Sequence, residues 1–160
     1  MQKTNVMRLL DSAKIKYFER EYDSSITNGE EVATIVGIDK EQCFKTLVTI
    51  ASNKNYYVFC IPVNHSLNLK KAAKAVGVKS IEMIPQKNLL PLTGYVHGGC
   101  SPIGMKKLFK TVINDTAILF DYICVSGGKV GLQIQINPEE LANYINAIFV
   151  DVIDKEGQWN

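Results

Sequence analysis

Two places in this chain have residues suited to chemistry: a lysine at the start of an apolar strand and a loop almost bare of side chains. Lys45 stands in the run Phe44, Lys45, Thr46, Leu47. A partly desolvated ammonium there can anchor a phosphate or carbonyl oxygen, or lose its proton and act as nucleophile or base. The simpler reading is that it snorkels from the strand's end. The loop is GGCSPIG, from Gly98 to Gly104. Its glycines let a ligand approach the main chain, and Pro102 fixes one torsion and offers no N–H. The remaining amides, those of Gly99, Cys100, Ser101, Ile103 and Gly104, can then converge on one acceptor. Lys106 and Lys107 follow at once, so the loop suits an anionic or carbonyl ligand.

Other reactive side chains fit catalysis less well. His97 and Cys100 could pair as base and thiol, but cysteine catalysis needs a fixed geometry and an orienting group that spacing alone does not supply. Ser101 and Ser126 each neighbour a glycine, the second in the run SGGK ending at Lys129. No GxSxG elbow is present, so they read as turn or ligand-contact residues. His65 reads as a loop or capping residue. Two histidines without an acidic cluster argue against a metal site, and no cofactor is implied. Tyr22 ends a strand beside a polar loop and can line a pocket.

The elements that position these residues follow from periodicity. Thr4 caps a helix ending near Lys14, and Ile15–Tyr22 reads as a strand. Asn28 caps a helix stopped by Gly37, and Asn68 caps one through Val76 stopped by Gly77. Phe44–Ala51 and Tyr56–Val63 predict a hairpin, and Ile81–Ile84 a short strand. Pro85–Leu92 suggests a short helix. Leu108–Ile113, Tyr122–Ser126 and Val130–Ile136 are further strands, the last with alternating glutamines. Asn137 and Pro138 open a helix to about Ile145, before a final strand over Phe149–Ile153. The pattern predicts one α+β domain over 1–160, around a mixed or largely antiparallel sheet with short flanking helices.

With 160 residues, 46% of them apolar, the chain can bury a single sizeable core. Its apolar runs are too short to cross a bilayer and the N-terminus lacks a signal-peptide centre, so a soluble cytoplasmic protein is expected. Four widely spaced cysteines predict reduced thiols. The net charge of +2 is uneven: eight lysines and one acid, Glu82, lie between Asn64 and Lys110, which leaves the rest at −5. Lys70, Lys71, Lys74, Lys106 and Lys107 belong to that cationic stretch, which makes RNA a plausible partner.

FKTL at 44–47, LNLKKAAKAVGVK at 67–79, GYVHGGCSPIG at 94–104 and SGGK at 126–129 together resemble the YbaK/EbsC family across almost the whole length. The resemblance implies a bacterial aminoacyl-tRNA deacylase, related to the editing insertion domain of prolyl-tRNA synthetases, with the cysteinyl-tRNA(Pro) deacylase as the nearest member. It implies a compact, barrel-like sheet. The family's functional lysine falls on Lys45, holding the aminoacyl-adenosine end of the tRNA. Its GxxxP loop falls on Gly98–Pro102, so that Lys45, Gly99, Cys100 and Ser101 form the catalytic wall, with Ile103 and Gly104 continuing the substrate contact. Thr46, Ser126 and Tyr22 match pocket positions. Asn28 stands where the cysteine branch often has an aromatic, which leaves amino-acid specificity open. In that branch the substrate's own thiol attacks its carbonyl, in keeping with the missing triad. The lysines, with Lys129, would steer the acceptor end, and a prolyl-tRNA synthetase becomes a candidate partner. Two alternatives stand beside this reading: a non-catalytic aminoacyl-tRNA or synthetase-binding module, and a Cys100-dependent thiol hydrolase.

Overall fold

A computed structural model describes residues 3–154. Helices begin where a polar side chain can accept the first orphan amides. Thr4 Oγ1 accepts from Met7 N ahead of α1 (Asn5–Ser12), and Asn28 Oδ1 accepts from Glu30 N and Glu31 N ahead of α2 (Gly29–Val36). Asn68 caps α3 (Leu69–Val76) through Lys71 N. The short α4 (Leu89–Thr93) has no side-chain cap, whereas Asn137 caps α5 (Pro138–Ile145). Gly37 and Gly77 end α2 and α3 at φ of 76° and 71°, the left-handed turn that glycine adopts without strain.

The strands are β1 (Tyr17–Glu21), β2 (Phe44–Ala51), β3 (Tyr56–Pro62), β4 (Ile81–Met83), β5 (Lys110–Asn114), β6 (Ile123–Ser126), β7 (Leu132–Ile136) and β8 (Ile148–Val150). They form a three-stranded antiparallel sheet in the order β1-β7-β6 and a five-stranded sheet in the order β4-β2-β3-β5-β8. In the second sheet β2 pairs antiparallel with β3 and β4, while β3–β5 and β5–β8 are parallel. The expected α+β fold with a mixed, mainly antiparallel architecture is therefore present. The sheets do not close into a barrel. Instead they meet at an isolated parallel bridge between Cys43 and Cys124.

Alternation along β3 divides the core into layers. Phe59 and Ile61 face Ala72, Ala73 and Val76 of α3, whereas Cys60 faces the other sheet, joining Phe44, Ile113, Val125 and Ile134 with α1 and α5. Among the described residues no helix is long and apolar enough to cross a membrane.

Several boundaries differ from the periodicity. The Pro85–Leu92 segment divides into a 3-10 turn over Gln86–Asn88 followed by α4. Val130 lies in a turn rather than in β7, because Gly128 and Gly131, at φ of 103° and 94°, lengthen the reversal before Leu132. An extra 3-10 turn spans Asp115–Leu119, where an apolar run gave no helical or strand period.

Candidate active site

The bridge between the sheets lasts for one residue pair, after which β2 and β6 part. A cavity of about 330 Å³ opens in the gap. Phe44, Lys45, Thr46 and Leu47 line it from β2, Ser126 and Gln133 from the other sheet, Gly98 and Cys100 from the glycine loop, and Tyr22 and Asn28 from the segment between β1 and α2. Residues separated by more than 100 positions thus share one cavity.

Lys45 is half-buried, and its Nζ lies 3.4 Å from the carbonyl oxygen of Val63, another wall residue. The hydroxyl of Tyr22 is buried at the cavity without a hydrogen-bond partner, a condition that a ligand oxygen or nitrogen would relieve. Ser126 Oγ accepts from Gly128 N at 3.1 Å, so its own proton remains to be donated. Asn28 uses its side-chain oxygen to cap α2, which leaves its amide nitrogen for the cavity. A Cβ on Gly29 would stand 2.7 Å from Val63 Cγ1, so a larger residue there would have to displace that cavity-wall side chain.

The glycine loop divides between two sides. Gly98 and Cys100 face the cavity, but Gly99, Ser101, Pro102, Ile103 and Gly104 do not. The expectation that the whole run of amides converges on a ligand is corrected by their bonds. Gly99 N donates to Val96 O at 3.0 Å, and Ile103 N donates to Ser101 Oγ at 3.2 Å. Ser101 is fully buried as a turn former, and Ile103 belongs to the core between the sheets. Pro102 and Gly104 line a separate hollow with Leu9 and Lys107. Gly99 serves by close packing: a Cβ there would lie 2.8 Å from Val130 N, so loop and SGGK turn touch backbone to backbone.

Cys100 sits in a setting that disfavours a thiolate. It packs with Val48 and Val58, and burial pushes its thiol up to about 12, with a hydrogen bond to Thr93 opposing weakly. His97 also lines the cavity but is exposed. We expect Cys100→Ala to keep most of its turnover in a deacylation assay. Loss of turnover with an unchanged melting temperature would restore the thiol as nucleophile.

Cavity residues that motif reading missed include Thr27, Gly29, Cys43 and Gln133. Gln133 follows the polar beat of β7, which reads as solvent-facing, yet it is only 8% exposed, because this end of β7 lies against Cys43 at the cavity wall. A glutamine inside a central strand was the available signal. Cys43 Sγ lies 3.9 Å from Gln133 Oε1, and a hydrogen bond with Cys124 lowers Cys43 while raising its partner. His65 lies elsewhere, 2.8 Å from Glu41 Oε2.

The lysines are unequal. Lys70, Lys74, Lys106, Lys107 and Lys129 are exposed, and Lys129 borders a shallow groove that shares Tyr22 with the cavity. Lys71 is committed instead to fixing α3, through Asp151 Oδ2 at 3.0 Å and Ile153 O at 2.8 Å. Its charge is thereby partly matched by Asp151.

Residues 23–144, which carry Lys45, the glycine loop and Ser126, match the sequence profile of the aminoacyl-tRNA editing domain, and the chain belongs to that family. Among its relatives, EbsC of Enterococcus faecalis (strain ATCC 700802 / V583), named as a candidate Cys-tRNA(Pro)/Cys-tRNA(Cys) deacylase, is 44% identical over 97% of this chain and 96% of its own. A proline–tRNA ligase of Methylobacillus flagellatus is 28% identical over 61% of this chain, which corresponds to 18% of the ligase. The solved structure of a candidate trans-editing enzyme for prolyl-tRNA synthetase shares the fold, with a TM-score of 0.81 at 21% identity over 96% of this chain and 99% of that one.

Proposed function

We propose that this protein is a cytoplasmic trans-editing deacylase that removes a mischarged amino acid, cysteine from Cys-tRNA(Pro) first among them, from the acceptor end of tRNA. The observation that carries this reading is a cavity between parting strand edges, with Lys45 at its wall, in a chain of the aminoacyl-tRNA editing family. An aminoacyl ester is already activated, so placement and charge stabilisation suffice without a protein nucleophile. The ammonium of Lys45 holds the terminal adenosine, and the hydroxyls of Tyr22 and Ser126 hold the aminoacyl group.

Two attackers fit the cavity. Water adds to the ester carbonyl and releases the free amino acid and the ribose hydroxyl. A cysteinyl ester carries its own nucleophile: its thiolate bonds to the carbonyl carbon, the ester C–O bond breaks, and the departing ribose oxygen takes a proton, leaving a thiolactone. A panel of charged tRNAs tests the reading. Cysteine release from Cys-tRNA(Pro) should exceed that of every other amino acid, and absence of release from all of them would leave a binding module. A prolyl-tRNA synthetase as partner is tested by adding it to the same assay.

The exposed lysines give a second expectation. If Lys70, Lys74, Lys106, Lys107 and Lys129 supply about three phosphate contacts, the log–log salt slope is roughly −2.1 to −2.7, and a fourfold rise in salt weakens tRNA binding about 20- to 40-fold. Affinity insensitive to salt removes them from the interface.

A further inference from the structure

The two strand edges that border the cavity expose main-chain groups in register. In β2, Val63 N donates to Cys43 O at 2.8 Å and Ala51 N donates to Asn55 O at 2.9 Å, so the odd-numbered residues between them point their main-chain groups at β3. The even-numbered residues point the other way. Val48 O accepts from Ile84 N at 3.3 Å, and β4 pairs only with Thr49–Ala51, which leaves the Phe44–Thr46 edge uncovered by β4. In β6, Gly127 N donates to Leu132 O at 2.9 Å, which puts Ile123 and Val125 on the β7 side and turns Cys124 and Ser126 toward β2. The Cys43–Cys124 bridge joins the edges, and among the described residues no second bridge follows. The next rungs would run through Phe44, Thr46 and Ser126, and all three line the cavity instead.

We infer that the main chain of the substrate's amino acid takes the place of the missing rung, an inference that rests on the deacylase reading for the identity of that substrate. Its α-ammonium donates to the strand-edge carbonyls of Thr46 and Ser126, and its ester carbonyl accepts from Thr46 N–H. Such contacts are shared by every amino acid. The slot therefore recognises an aminoacyl group as such, and the side chains of Tyr22, Asn28 and Gln133 are left to discriminate between amino acids. The same recognition by a strand edge is used when peptides add to sheets, shortened here to one residue.

Binding of a stable analogue tests this without turnover. The probe is 3′-deoxyadenosine with cysteine joined through a 3′-amide, compared with the same compound bearing hydrogen in place of the α-ammonium. Removing a charged hydrogen-bond donor should weaken binding by about 10- to 100-fold. The factor should be the same for the alanyl pair of compounds. Thr46→Pro removes an N–H directed away from β3, so the ladder survives and the melting temperature changes little. This variant should bind the full cysteinyl analogue at least about tenfold more weakly, whereas Thr46→Val, which keeps the N–H, should lose less. Equal affinity for the two analogues, no binding of either, or undiminished binding by Thr46→Pro overturns the slot. If the ammonium contributes to binding but charged tRNA is not cleaved, the deacylase reading fails and the slot stands.

Discussion

Lys45→Ala should lower kcat/KM for Cys-tRNA(Pro) deacylation by about 100-fold or more while leaving the melting temperature nearly unchanged. The size of the loss follows from where the charge sits. Lys45 is half-buried at the cavity wall beside the carbonyl of Val63, where an ammonium is less screened than at an open surface and interacts more strongly with a phosphate or a developing oxyanion. The small effect on stability follows from the strand. Its main-chain groups point at β3 and remain paired with any side chain present, and the exposed part of the ammonium carries little folding energy. Lys45→Arg should not restore the rate, because the planar guanidinium fork cannot occupy the position of a compact ammonium. Measuring single-turnover deacylation and thermal unfolding on the same preparations separates the two effects. Wild-type turnover by Lys45→Ala would remove the lysine from the mechanism.

The sequence makes Lys45 and Thr46 visible because a charged residue interrupts an apolar strand, and it makes Gly98 and Cys100 visible because glycine clustering has few structural explanations. Helix starts are equally legible, since an acceptor such as Asn68 acts on amides within three residues of itself. What sequence hides is partnership at a distance. Nothing local says that Val96 takes the Gly99 amide, that Asp151 takes Lys71, or that Gln133 lies at the cavity 3.9 Å from Cys43 Sγ. The cavity itself belongs to this second kind of information. It exists because β2 and β6 meet at one bridge and part, a fact of topology that appears in neither strand alone.

Gly99→Ala should destabilise the protein by about 1–3 kcal/mol and reduce turnover further than that loss of stability explains. The added Cβ would sit 2.8 Å from Val130 N and 2.9 Å from Lys129 C, and neither is the yielding end of a side chain. Relief requires the glycine loop and the SGGK turn to separate. That separation moves Gly98 and Cys100, which face the cavity, and also the turn that follows Ser126 on the opposite wall. A displacement of this kind disturbs both sides of the substrate at once, and misplacement by about 1 Å can lower a rate about 100-fold. The test is deacylation at a temperature well below the variant's melting point, where the protein is fully folded and any deficit is geometric. Gly99→Ala with wild-type stability and turnover would show that the two loops separate without consequence, and the backbone contact would then have no part in shaping the site.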